Sequence, residues 1–163
     1  MLADMSTFST TDLCDAHPDV AVLPPVFHDF GGSSCFGGAI ETVHVQDDNV
    51  LVREALEEPG VGRVLVVDGG GSLACALLGD QIATLAQANG WAGVIVHGCV
   101  RDVAVLATIP VGVKAIGSHP RKSGKHGTGT RGEPVTIGGV RLARGDFVYA
   151  DTDGIVVSDR SLV

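Results

Sequence analysis

The sequence predicts a single mixed α/β domain, and three observations carry that prediction. At 163 residues the chain can bury a real core without disulfide or metal staples. Its middle alternates short β-branched runs with helical periodicity, the signature of β-α-β units. Its last third is dense in strand signals separated by glycine turns, so the pattern alone supports α/β or α+β.

Taken in order, about residues 1–9 are expected to be a disordered lead, with Met1 and Met5 as alternative starts. Thr10 or Thr11 can cap a short helix through Leu13 and Cys14 that Pro18 ends. Residues 22–27 contain Pro24-Pro25 and must be extended. After the Gly31-Gly32 and Gly37-Gly38 turns, the alternation over 39–45 predicts a half-buried strand, with His44 at a surface or hydrogen-bonded position. Asn49 can cap a helix through Leu51, Ala55 and Leu56, which Pro59-Gly60 closes.

Residues 64–67 predict a buried strand. Asp68-Gly69-Gly70-Gly71 behind it superficially suggests a nucleotide site. However, G-x-G-x-x-G spacing does not run on into a helix, and no acidic residue closes an evident next strand. A tight turn with close backbone approach beside a pocket is the better reading. Residues 72–78 receive no firm assignment.

Ile82, Leu85 and Ala86 then mark one face of a helix that Gly90 ends, and residues 93–98 form a buried strand. Residues 103–106 suggest one or two helical turns closed by Pro110. A strand over 111–116 follows, with Lys114 directed either into a site or to solvent. The loop 118–131 is basic and glycine-bearing, and could cover an anionic ligand, contact a second subunit or be solvent-exposed chain. Strands are predicted at 135–137, 140–142, 147–149 and 155–157, with a Gly138-Gly139 hairpin turn and a second turn through Asp151, Asp153 and Gly154.

Composition excludes several functions. A net charge of −8 argues against a nucleic-acid surface while leaving a basic protein segment as a partner. Cys14, Cys35, Cys75 and Cys99 form no C-x-x-C pair and read as reduced thiols of a cytoplasmic protein. Neither a signal peptide nor a bilayer-length apolar stretch is evident, so no membrane association is expected.

One constellation demands chemistry: Gly79-Asp80, twenty residues, then Arg101-Asp102. A helix packed antiparallel to the strand that follows it brings its N-terminus to that strand's C-terminal end. One edge then gathers helix N–H groups that attract anions, a guanidinium suited to a carboxylate, and two carboxylates. Asp102 or Asp80 could hold a hard divalent cation that keeps several waters. The plainer alternative makes Asp80 an N-cap and Arg101-Asp102 a solvated turn.

Several motifs recur here in order: Phe30-Gly31-Gly32, the run RVLVVDGGGS over 63–72, Gly79-Asp80 with Arg101-Asp102, and Gly145-Asp146 with Tyr149, Asp151 and Gly154-Ile155. In these the chain, from Thr10 to Ser158, resembles the ribonuclease activity regulator A family, which includes class II 4-hydroxy-4-methyl-2-oxoglutarate aldolases. The resemblance implies a swivelling β/β/α fold and a homotrimer, or a dimer of trimers, with the site between subunits. Members with aldolase chemistry keep the final Asp of the spaced motif, as Asp102 is kept here, whereas members that only inhibit a ribonuclease tend to lack it.

The implied activity is metal-dependent cleavage to two pyruvates, with oxaloacetate decarboxylation through the same enolate. The implied roles are a Mg²⁺ or Mn²⁺ ligand at Asp102, a substrate-binding and catalytic Arg101, and substrate contacts at Gly79, Asp80, Gln81 and Ile82. Asp80 is the best candidate for the base. Longer aldolases of the family carry a C-terminal extension that lends an acidic residue to a neighbouring subunit. The present sequence stops at Val163, which leaves the remaining metal ligands unassigned. The rival expectation is a non-catalytic protein that binds and inhibits a ribonuclease.

Overall fold

The computed structural model describes residues 7–163. The first helix, α1 (Thr10–Ala16), is capped by Ser9, whose hydroxyl accepts the Asp12 N–H at 3.2 Å. Thr10, one of the two expected caps, instead gives its N–H and hydroxyl to the Asp151 carboxylate at 2.7 and 2.6 Å. Within the expected lead, Phe8 packs edge-on against Tyr149 with ring centroids 5.3 Å apart, while residues 1–6 lie outside the described residues.

The chain continues through β1 (Ala21–Val22), β2 (His28–Asp29), β3 (Phe36–His44), α2 (Val50–Glu57), β4 (Val64–Asp68) and β5 (Ala76–Leu78). Next come α3 (Asp80–Ala88), β6 (Gly93–Val100), α4 (Val103–Leu106) and β7 (Gly112–Ser118). The last part holds β8 (Thr130–Arg131), β9 (Val135–Ile137), β10 (Val140–Leu142), β11 (Phe147–Ala150) and β12 (Ile155–Ser158). The main sheet runs β1-β12-β11-β3-β4-β6-β7-β2, with β5 added to β6 and β8 to β3. Strands β3, β4, β6 and β7 are parallel because α2, α3 and α4 lie in the crossovers between successive ones.

Period-two alternation splits the core into two layers. Leu65, Val67, Val94, Val96 and Val113 face Val52, Leu56, Ile82, Ala86 and Leu106 of the helices. Val64, Val66 and Ile95 face the other way, onto Ile137, Leu142, Val148 and Val157 of the C-terminal strands. The domain is therefore a mixed α/β fold with β/β/α layering, as expected. Gly138 and Gly139, at φ +55° and +80°, make the tight β9–β10 hairpin. Among the described residues no helix is long and apolar enough to cross a membrane.

Two expectations are corrected and one open stretch is assigned. Strand β3 is not half-buried: it joins β11 to β4, and along it only Ala39 and His44 escape burial. Residues 76–78, left unassigned from sequence, form β5, whose three residues are too few to show a period. Lys114 points neither to the Gly79–Asp102 edge nor to solvent. It is 2% exposed, donates to the Asp151 carbonyl at 2.6 Å and pairs with Asp29 at 3.1 Å.

Candidate active site

Strands β5 and β6 end side by side, with Leu78 in register with Val100. Gly79-Asp80 and Arg101-Asp102 therefore leave the sheet at one carboxyl edge, and the Arg101 N–H ties them together by donating to the Leu78 carbonyl at 2.9 Å. Carboxyl ends of parallel strands are where α/β sheets place their ligands. The sequence-derived geometry holds, since α3 runs back from this edge and its N-terminus lies beside the end of β6.

One detail differs from the simple capping alternative. Gly79 is the N-cap and Asp80 the first helical residue, so the Asp80 carboxylate is not spent on capping. Asp102 serves the helix end instead, its Oδ2 accepting the Asp80 N–H at 3.2 Å. That carboxylate lies against the bare Gly79 Cα, where a Cβ would come within 2.6 Å of Asp102 Oδ2 and 3.3 Å of Arg101 Cγ. Asp102 itself is left-handed, at φ +59° and ψ +41°, and starts α4. An L-residue pays on the order of 1 kcal/mol for that conformation, which the surrounding structure must enforce.

A cleft of about 130 Å³ opens here, and Gly79, Asp80, Gln81, Ile82, Arg101 and Asp102 all line it. The Arg101 guanidinium has no hydrogen bond or ion pair among the described residues, so its donors are free for a ligand. The second wall combines Asn49 and Arg53, which sequence reasoning missed, with Lys122, Ser123 and Lys125 of the basic loop, for which ligand covering was one of three alternatives. The glycine turn 69–71, expected to border the pocket, instead bonds to the His97 carbonyl and does not line the cleft. His44, as expected, is exposed and hydrogen-bonded, with Nδ1 3.0 Å from Asp68.

The second wall is held in place by a buried carboxylate. Asp48, 1% exposed, accepts the N–H groups of Val50 at 3.1 Å, Gly127 at 3.2 Å and His126. Burial pushes its carboxyl up, but these backbone donors outweigh that and hold it below the ordinary aspartate value. Gly124 is tied to the Asp47 carbonyl at 2.8 Å, and Lys125 Nζ donates to Asn49 Oδ1 at 3.0 Å. Asn49 precedes α2 as expected but makes no side-chain cap bond; the Asp48 side chain takes that part. The basic loop is therefore fixed against the cleft over residues 121–127, which favours the ligand-covering alternative.

Among the described residues no cluster of three or more His, Cys, Asp or Glu side chains could enclose a metal. The donors at the cleft, Asp102 with Asp80 nearby, instead suit a hard cation of the Mg²⁺ type, which uses one or two carboxylates and completes its shell with waters and substrate. Asp102 Oδ1 is not engaged by any described donor.

Comparison with known proteins places the chain in a family. Residues 10–157 match the family model described as RraA-like, Aldolase/RraA. The "Putative 4-hydroxy-4-methyl-2-oxoglutarate aldolase" of Alkalilimnicola ehrlichii is 60% identical over 155 residues, covering 94% of this chain and 96% of that protein. A protein of the same name from Burkholderia multivorans is 55% identical over 162 residues, covering 96% of this chain and 99% of its own. Among solved structures, the RNA-processing inhibitor RraA from Thermus thermophilis superposes with a TM-score of 0.92 at 47% identity, covering 96% of both chains. A Geobacillus kaustophilus structure described as an S-adenosylmethionine:2-dimethylmenaquinone methyltransferase gives 0.91 at 51% identity, over 95% of this chain and 97% of that one.

Proposed function

Because the chain belongs to the RraA-like family, we propose that it is a class II aldolase that cleaves 4-hydroxy-4-methyl-2-oxoglutarate to two pyruvates and also decarboxylates oxaloacetate. The observation that carries this reading is the convergence of Gly79–Ile82 with Arg101 and Asp102 on one cleft. The names of the 60% and 55% identical relatives support it.

In this reading the N–H groups at the start of α3 receive the substrate's C1 carboxylate, where the helix dipole favours negative charge. Arg101 lies by the 2-oxo oxygen. Asp80 takes the proton of the C4 hydroxyl as base. As that oxygen becomes a carbonyl, the C3–C4 bond breaks and its electron pair passes to C3, C2 and the 2-oxo oxygen. The Arg101 guanidinium stabilises the resulting enolate charge, and protonation at C3 yields the first pyruvate, the C4 fragment being the second. Loss of CO₂ from oxaloacetate leaves the same enolate. Asp102 would hold the Mg²⁺ or Mn²⁺, which when bound supplies Lewis-acid polarisation of the 2-oxo group.

The assembly proposed with this activity is a homotrimer, or a dimer of trimers, in the cytoplasm. Exposed Val103 and Val105, directly after Asp102, support a subunit contact beside the cleft.

A second reading, a non-catalytic ribonuclease inhibitor, is favoured by the similarity to the Thermus RNA-processing inhibitor and by an acidic surface suited to a basic partner. Pyruvate release from both substrates, with Mg²⁺ or Mn²⁺ and with excess chelator, separates the two. Turnover that the chelator abolishes supports the lyase. Folded, metal-supplied protein that turns over neither substrate contradicts it.

A further inference from the structure

The cleavage chemistry leaves one proton without a source. The enolate common to both activities must be protonated at C3, and in the aldol reaction Asp80, having taken the C4 hydroxyl proton, could return it there. Oxaloacetate closes that route, because loss of CO₂ deprotonates no hydroxyl and Asp80 gains no proton to give. The donor must therefore be independent of Asp80, and it must hold a proton in neutral solution, release it and recover it.

Few side chains at the cleft meet that demand. Asp102 accepts the Asp80 N–H. The guanidinium groups of Arg101 and Arg53 do not release protons, and Arg53 is paired with Glu57 at 3.2 Å. The amides of Asn49 and Gln81 are not acids, and the Ser123 hydroxyl donates to the Gly124 carbonyl at 3.1 Å. The ammonium groups of Lys122 and Lys125 remain. Lys125 Nζ is held by Asn49 Oδ1 at 3.0 Å, whereas Lys122 Nζ makes no hydrogen bond or ion pair among the described residues.

The backbone that carries Lys122 is nonetheless fixed. The Arg121 carbonyl accepts the Ala76 N–H at 2.8 Å, Lys122 itself bridges Ala76 in parallel register, Ser123 is buried, and the Gly124 N–H donates to the Asp47 carbonyl at 2.8 Å. Ala76 opens β5, the strand that leads directly to Gly79 and Asp80. An unpaired ammonium thus stands on an anchored stem beside the strand that delivers the first wall.

We propose that Lys122 is the general acid that protonates C3 of the enolate, an assignment that rests on the reading of the cleft as a pyruvate-forming lyase site. The Nζ–H bond breaks and leaves its electron pair on nitrogen. The C2–C3 π pair forms the new C3–H bond, while a pair on the enolate oxygen re-forms the 2-oxo carbonyl beside Arg101. Lys122 is left as the neutral amine and regains its proton from water. Asp80 releases the hydroxyl proton to solvent separately. In reverse, neutral Lys122 takes a methyl proton from pyruvate, so that in D₂O each return trip places deuterium at C3.

Proton NMR of pyruvate in D₂O, with Mg²⁺ and the full chain, isolates this step, since no carbon–carbon bond breaks and Asp80 has no hydroxyl to deprotonate. Lys122→Met removes the acid, and Lys122→Arg keeps the charge while withholding the proton. Lys122 is exposed, so both variants should melt as the unmodified chain does. Loss of the methyl signal is expected to slow about 100-fold or more in both variants, and pyruvate release from oxaloacetate to slow with it. Exchange at the unmodified rate in Lys122→Met overturns the proposal, because water or another group then supplies the proton. Recovery of exchange in Lys122→Arg overturns it too, since only the charge then matters. Either result leaves the lyase reading intact. An unmodified chain that neither exchanges pyruvate nor releases it from oxaloacetate or 4-hydroxy-4-methyl-2-oxoglutarate defeats the lyase reading, and the acid falls with it.

Discussion

At Glu41 three arginines gather around one buried carboxylate, whereas at the Gly79–Asp102 edge the Arg101 guanidinium has no partner among the described residues. Glu41 is 2% exposed and accepts two bonds from Arg144, at 2.9 and 3.0 Å, one from Arg131 at 3.3 Å and the Thr42 N–H at 2.8 Å, with Arg63 at 3.9 Å. Arg131 in turn holds Glu58 at 2.9 and 2.7 Å. The cluster ties β3, β8 and the chain before β11 together, so its charges serve the fold. At the cleft, the Arg101 guanidinium ties no element to another among the described residues, and Asp102 holds a left-handed backbone that costs on the order of 1 kcal/mol. Charge paired within the protein stabilises it, and charge left unpaired in a cleft is available to a ligand.

Substitutions can break that contrast, and the largest effect is expected at Glu41. Glu41→Ala takes the shared carboxylate from the partly exposed Arg144, Arg131 and Arg63 guanidinium groups and leaves the Thr42 N–H without its acceptor, which should cost about 3 kcal/mol in chemical denaturation, with turnover per folded molecule retained. Arg101→Ala should show the opposite profile: a loss of roughly 100- to 1000-fold in kcat, with a denaturation change within about 0.5 kcal/mol. If Arg101→Ala instead unfolded the protein, the two regions would not differ in kind.

Gly79→Ala sharpens the comparison, because the added Cβ meets only the movable Asp102 carboxylate and the Arg101 stem within hard contact. Displacing these groups by about 1 Å should lower turnover roughly 100-fold with little effect on melting. Acid tests the paired region more gently. Burial alone would raise the Glu41 carboxyl, but Arg144, the Thr42 N–H and Arg131 hold it below the ordinary glutamate value. Asp151 is likewise pushed up by burial and held low by Thr10 and the Asp153 and Gly154 N–H groups.

With folded values below unfolded ones, the unfolded chain takes up protons first as pH falls. The stabilisation is therefore complete above the unfolded values, at about pH 5, and is lost progressively as pH falls below them through the folded ones. Melting between pH 7 and pH 3 should show that fall, and Glu41→Gln should flatten part of it.

The first wall of the cleft was legible in the sequence because its parts are local. Glycine, helix periodicity and a β-branched run between residues 79 and 102 suffice to fold one edge, and spacing alone brings Asp80 to Arg101. The second wall was not legible. It depends on Asp48 reaching the His126 and Gly127 N–H groups 78 and 79 residues away, and composition showed only that loop 118–131 was basic. Burial of β3 was hidden for a similar reason, since the cover over Glu41 and Thr42 comes from Arg144 and Glu133. Lys114 read as ambiguous because its partners, Asp29 and the Asp151 carbonyl, lie far off in sequence.

The most direct test is pyruvate release from 4-hydroxy-4-methyl-2-oxoglutarate by the unmodified chain and by Asp102→Ala in Mg²⁺, with thermal melting of both in the same buffer. We expect metal-dependent release that Asp102→Ala abolishes, with the variant still folded at the assay temperature and melting only a few degrees lower, as loss of the Asp80 N–H acceptor at a left-handed position requires. Equal release by the two proteins, or loss of activity that merely tracks loss of fold, would contradict the assignment of this edge as the site of chemistry.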